Sequence, residues 1–350
     1  MNILIDIGHP AHVHLFRNLY GELTVRGHNV TVTVKDLPSA TRLLDLYGIP
    51  YIIIGTRGKS VAGKGLNQII FDMKLVALAF RKRIDLALGS SITIAHASRL
   101  SPMKSVVFDD DDDEVQPLMT RYGHPFAHAL LSPESLRGRR RRADTIYHES
   151  FHELAYLHPS RFTPDASVLG EAGLEEGEPY FIMRFSAFKA HHDTGISGIS
   201  LADKLRLSEY LSARGKLFIT TEGDIEPELA RYRLSVASHR IHSLMSYATM
   251  LVGDSQTMTS EAAVLGVPAL RCNSFAGRIA YLEEQEKRYG LTYAYTPDNF
   301  NAMFEKMKEL LAMPSLGEEW QRRRQIMLND KIDLTDFMVR FIENYPESIK

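Results

Sequence analysis

Residues 254–272 read DSQTMTSEAAVLGVPALRC, and the short apolar run YATMLVG, residues 247–253, leads into them. A buried strand, a Gly253-Asp254 turn and a helix starting near Ser255–Thr257 are the reading that this order of residues supports. The helix is rich in small residues and stops at Gly266-Val267-Pro268, ahead of a second apolar run. Amides at a helix start lack intrahelical acceptors and carry a partial positive charge, which suits a phosphate. Ser255, Gln256 and Thr257 add side-chain donors there. Glu261 stands four residues after Thr257, so the two share a helix face, and its carboxylate can accept both hydroxyls of a ribose. The same residues also read as a capped helix, with Asp254 or Ser255 as N-cap and an early glutamate favoured by the dipole. Residue chemistry leaves both readings open.

Outward from this stretch, short apolar runs alternate with longer amphipathic ones. Asn2–Ile7, Val30–Val34, Tyr51–Ile54, Leu86–Leu88, Ser105–Phe108 and Ala129–Leu131 read as buried strands with helical patterns between several of them. The pattern lapses at Tyr156–Asp165, which carries two prolines, and resumes with Tyr180–Arg184, Lys216–Thr220, Met250–Val252 and Ala269–Cys272. Strands alternating with helices predict parallel, doubly wound α/β sheets. The expected architecture is two Rossmann-like domains facing across a cleft, 1–160 and 166–332, with a C-terminal helix, 333–350, returning to the first domain. The helices around Trp320–Leu328 and Leu334–Asn344 are both candidates for that return. In such folds ligands sit outside the carboxyl ends of the strands.

The 350 residues are enough for two domains, and 44% hydrophobic with 24% charged residues is ordinary globular composition. Forty-one basic against 43 acidic side chains give a net charge of −2, with no general field for a polyanion, so no nucleic-acid partner is expected. The single cysteine, Cys272, excludes an internal disulfide and a cysteine-rich zinc site. MNILIDIGHP is too short and too acidic for a signal peptide, and no run approaches the ~20 apolar residues of a membrane helix. A cytoplasmic protein is expected. Its candidate for peripheral membrane contact is the basic run RGRRRR, Arg137–Arg142, for which a solvated loop is the plainer reading.

Four segments carry a family resemblance: DIGHPAHVHLF at 6–16, HELAYLHPSRFTPD at 152–165, AHHDTGISG at 190–198 and SQTMTSEAAVLGVPALRCNSFAGRIAYLEE at 255–284. In this order they resemble the domain-of-unknown-function 354 family. That family lies within the superfamily of GT-B glycosyltransferases and non-hydrolysing UDP-N-acetylglucosamine 2-epimerases. The resemblance implies the GT-B-like fold and a nucleotide-sugar donor held through Ser255, Gln256, Thr257 and Glu261; it carries no assigned reaction.

The resemblance also implies that Gly8 lies in a loop that approaches the substrates, and His9 or His12 is the candidate general base on an acceptor hydroxyl. His14 falls on another face. FDDDDDEV, 108–115, follows a first-domain strand; five consecutive aspartates cannot all point inward, and Asp110 and Asp111 are the two assigned to catalysis. Each of these groups also reads as a plain cap or a solvated helix start. Arg184, Lys189, His191 and His192, after the first strand of the second domain, are assigned to the diphosphate. Arg240 and His242 lie where the superfamily reads the base. GKSVAGKG, 58–65, lacks the Ser or Thr that a P-loop sets on magnesium, and no pair among His9, His12, His14, His191 and His192 has zinc-helix spacing. No metal and no cofactor are expected. The leading function is glycosyl transfer from a UDP-sugar to a surface glycan or lipid-linked acceptor. Epimerisation of the sugar nucleotide, or binding without catalysis, are the alternatives.

Overall fold

The computed structural model describes residues 1–56, 61–186 and 198–349. The chain divides into two compact units, 1–161 with 332–350, and Phe162–Lys331. Each is built on one parallel sheet.

The first unit holds β1 (Asn2–Ile7), β2 (Asn29–Asp36), β3 (Tyr51–Thr56), β4 (Leu86–Gly89), β5 (Lys104–Phe108), β6 (Ala129–Pro133) and β7 (Ile146–His148). Their order is β3-β2-β1-β4-β5-β6-β7, every pair parallel. The strands are near-continuous apolar runs because helices cover both faces of such a sheet. Ile3, Leu4, Leu86, Ala87, Leu88, Val106, Val107 and Leu130 have no more than 1% exposure. β7 was not visible as a strand: IYH is three residues long and its neighbours are polar, so only its pairing with β6 identifies it.

The second unit holds β8 (Tyr180–Phe185), β9 (Lys216–Thr221), β10 (Met250–Gly253), β11 (Ala269–Cys272) and β12 (Thr292–Tyr295), in the order β12-β11-β10-β8-β9 and again all parallel. β12, half-buried at the edge, is the other strand that periodicity did not reveal.

Strand order reverses between β1 and β4 in the first sheet and between β8 and β10 in the second. Flanking helices diverge at such points and open a crevice at the carboxyl ends of the strands. Each reversal is closed by a glycine. A Cβ on Gly89 would lie 2.9 Å from the Asp6 carbonyl oxygen, and one on Gly253 would lie 2.0 Å from that of Arg184.

The two C-terminal helices part company. Leu316–Asp330 stays in the second unit, where buried Trp320 donates to Leu291 O at 2.8 Å. Leu334–Glu343 belongs to the first unit and packs on the helices Pro10–Val25 and Leu154–Leu157.

Candidate functional site

In the second unit, β10 ends at Gly253 and the helix Gln256–Leu265 begins three residues beyond it. Ser255 caps the helix, its Oγ accepting from Met258 N at 3.4 Å. Gln256 and Thr257 are the half-buried residues of an otherwise buried helix, so their side chains are the ones that can meet a ligand at its start. The far end of the helix is held by the segment Leu316–Asp330: Gln321 donates to the carbonyls of Leu265 and Gly266, and Arg324 donates to that of Val264 at 2.8 Å. Those donors satisfy carbonyls that a helix end leaves open, and a cation there suits the dipole.

The turn before the helix is equally determined. Asp254 is buried and accepts from Ser186 N at 2.6 Å. Burial pushes its carboxyl up to about 6, against the Ser186 hydrogen bond and the charge of Lys204. Asn273 donates to Asp254 O at 2.7 Å, and buried Arg271 donates to the Asn273 Oδ1 at 3.1 Å. Periodicity hid Arg271, which sits within the apolar run Ala269–Cys272. Glu261 is 4% exposed, and its Oε1 lies 2.9 Å from His242 Nε2.

The other residues assigned to the nucleotide are placed differently. Arg184 donates to Thr220 Oγ1 and pairs with Glu222 at 3.1 Å. Arg240 is bound to Asp165, Ser167 and Glu171, tying its short 3-10 turn to the start of the unit. Lys189, His191 and His192 lie outside the described residues.

In the first unit, Gly8 N donates to His12 Nδ1 at 3.2 Å, and exposed His9 is the N-cap of Pro10–Val25, its Nδ1 accepting from Ala11 N. His14 is buried against Tyr47 and Tyr156. Asp6, fully buried beside the strand reversal, accepts from Thr33 at 2.8 Å and from Ser91 at 2.5 Å.

The two charge runs of the sequence meet. Arg140, its side chain 0% exposed, bonds Asp113 at 2.7 Å, approaches Asp109 at 3.2 Å and donates to Asp109 O. Arg139 bonds Asp112, and the amide of Arg141 donates to Asp113. His124 Nε2 lies 2.7 Å from Asp109. Arg140 departs from the solvated-loop reading: buried carboxylates need positive partners, and it supplies one, while Arg139 pairs with Asp112 from an exposed position.

Asp110 and Asp111 are left outside that clamp. Asp110 lies 3.1 Å from His152 Nδ1, and Asp111 accepts from Gln116. Burial, then repulsion by Asp110 and Asp109, pushes the Asp111 carboxyl up to about 8. Burial works to lower His152, but Asp110 outweighs it and the imidazole is raised. His152 was missed as a partner because it is distant in sequence from the aspartates. Oxygens of Asp109, Asp110 and Asp111 lie within 4.8 Å of one another, the one such trio among the described residues. Arg140, His124 and His152 already balance two of its members.

Residues 1–134 match the model of a family described as a protein of unknown function (DUF354). An uncharacterized protein of Methanocaldococcus jannaschii is 22% identical, covering 82% of this chain and 86% of its own. Among solved structures, the UDP-N-acetylglucosamine 2-epimerase of Neisseria meningitidis bound to UDP-GlcNAc is similar at TM-score 0.67 and 13% identity, over 98% of this chain and 100% of that one. The glycosyltransferase SsfS6 of Streptomyces sp. SF2575, complexed with thymidine diphosphate, is similar at TM-score 0.61 and 14% identity, over 97% and 99%. The first 134 residues thus match the DUF354 family, and the chain has the two-sheet α/β fold of the GT-B glycosyltransferases and UDP-N-acetylglucosamine 2-epimerases.

Proposed function

We propose that this protein is an enzyme of nucleotide sugars, with the helix start at Ser255–Thr257 holding the diphosphate and Glu261 the ribose. The observation that carries the reading is the place of that helix: it opens at the β8/β10 reversal, with its cap, turn and far end each fixed by named hydrogen bonds. The same fold holds UDP-GlcNAc in one similar structure and thymidine diphosphate in another. A UDP-sugar is the donor of this proposal, and glycosyl transfer to a glycan or lipid-linked acceptor is its leading reaction. The Asp110–His152 pair then serves as the base that takes the acceptor's hydroxyl proton as the new bond forms and the nucleoside diphosphate leaves. His9 and His12 rank behind it, because both rings are engaged by the helix start they belong to.

Epimerisation is the second reading, and Asp111 favours it. Removing a proton from one face of a sugar and returning it on the other needs an acid as well as a base. Asp111, protonated below about pH 8, lies beside the Asp110–His152 pair.

Calorimetry with UDP and uridine tests the site. Glu261→Ala is expected to weaken both by roughly 10- to 150-fold, the worth of hydrogen bonds to a charged group, and to lose discrimination against 2′-deoxyribose. Ser255→Ala and Thr257→Ala should weaken UDP more than uridine. Wild-type affinity in Glu261→Ala would leave a capped helix and no ribose site. A new glycosidic product against an isomerised UDP-sugar then separates the two reactions, and tight binding without either leaves a binding protein.

A further inference from the structure

The first unit contains a cavity of about 820 Å³ that the proposed reaction does not use. Arg99, Arg121, Arg141 and Arg142 line it, and Asp144 is the one carboxylate among its lining residues. Arg99 lies just before β5, Ala127 just before β6 and Asp144 just before β7, so the cavity opens at the amino ends of these strands. Asp110 and Asp111 lie beyond the carboxyl end of β5.

Two of the arginines are fixed by backbone carbonyls. Arg99 Nε donates to Phe126 O at 2.7 Å, and Arg142 Nη1 donates to His124 O at 2.6 Å and to Ala127 O at 3.0 Å. Asp144 is spent on Arg142, which holds it through two bonds of 2.7 and 3.0 Å. Arg121 and Arg141 are exposed and form no ion pair among the described residues. The excess of positive charge registers on a neighbour: burial, then Lys104, Arg99 and Arg142, hold the His128 imidazole down at about 4. Pro117, Pro125 and Ala127 add apolar wall.

We infer that this cavity is a second ligand site, for a phosphate monoester carried on a small organic body. Guanidinium forks match phosphate oxygens in pairs, and a single carboxylate, already bonded, offers little competition. The volume falls in the range of small-molecule clefts, roughly 300–1,000 Å³, which leaves room for the body beside the phosphate. The monoester is either a free metabolite or the headgroup of an anionic lipid.

The test uses the full chain with glycerol 3-phosphate, inorganic phosphate, and vesicles of phosphatidylcholine with or without phosphatidic acid. Arg121→Gln/Arg141→Gln, and Arg121→Gln alone, remove the unpaired cations. Arg137→Gln, in the same basic run but paired with Glu134 and outside the cavity, is the control. Saturable binding of glycerol 3-phosphate that the double variant weakens roughly tenfold or more, and Arg137→Gln does not, supports a free ester. Vesicle retention that requires phosphatidic acid and is lost in the double variant, without binding of the soluble ester, supports a headgroup. No saturable binding of any probe, or equal binding by wild type and the double variant, overturns the inference. UDP titrated into the same variants reports on the nucleotide helix alone, so failure of one proposal is distinguishable from failure of the other.

Discussion

Five consecutive aspartates acquire separate roles from their neighbours. Arg140 pairs with Asp109 and Asp113, His124 with Asp109, Arg139 with Asp112, and Asp110 faces His152. Among the described residues Asp111 receives only the Gln116 amide, so burial and repulsion keep its proton on up to about pH 8. An unfolded aspartate titrates near ~3.9. The folded chain therefore binds more protons across that window, and the associated stability is full below about pH 4 and lost as pH rises through about 8. Asp254 acts with the same sign up to about 6. Asp111→Asn is expected to flatten the upper part of this fall, read as urea midpoints across a pH series. Midpoint curves for variant and wild type that stay parallel from about pH 6 to 9 would refute the assignment.

At the scale of elements, each unit uses the same device at its strand reversal. LALGSS, 86–91, and MLVGDS, 250–255, both run from an apolar strand through a glycine to a serine that caps the next helix. The glycine is needed because the neighbouring strand's carbonyl occupies the space of a Cβ. At Gly253 that carbonyl is backbone of β8 and cannot swing aside. Gly253→Ala should cost about 1–3 kcal/mol or more by forcing β8 and β10 apart, and should weaken UDP beyond what Ser255→Ala does. For stability, Ser255→Ala removes a helix cap, worth about 0.5–2 kcal/mol. Thermal melts and UDP titrations of both variants check the order, and a Gly253→Ala protein as stable as wild type would contradict it.

For the whole molecule, the chain leaves the first unit after Arg161 and re-enters it at Ile332. The two crossings are clasped: Arg161 bonds Asp333 and Glu22 at 2.6 Å each, and Ile332 N donates to Glu149 O at 2.9 Å. The returning helix buries Leu334, Met338, Val339, Phe341 and Ile342. At about 1.5–3 kcal/mol per buried side chain, their loss matches a whole domain's net stability of ~5–15 kcal/mol. A chain ending at Lys331 is expected to lose protease resistance in residues 1–161 while a fragment near Phe162–Lys331 persists and still binds UDP. Lost UDP affinity in a still-resistant fragment would show that the nucleotide site needs residues outside the second unit.

Alternating apolar and amphipathic runs were enough to determine parallel α/β sheets, and the order strand, Gly-Asp, Ser-Gln-Thr, small-residue helix located the helix start at 255–257. These are local facts, written in consecutive residues. The partners of the charges are not local. Arg140 reaches Asp113 across 27 positions, His152 meets Asp110 across 42, and Glu261 meets His242 across 19. Only tertiary structure brings them together, because parallel strands set residues from distant crossovers side by side. That is why the sequence showed an acidic run and a basic run as two surfaces, and the fold joins them through buried Arg140, with Asp110 and Asp111 outside that pairing.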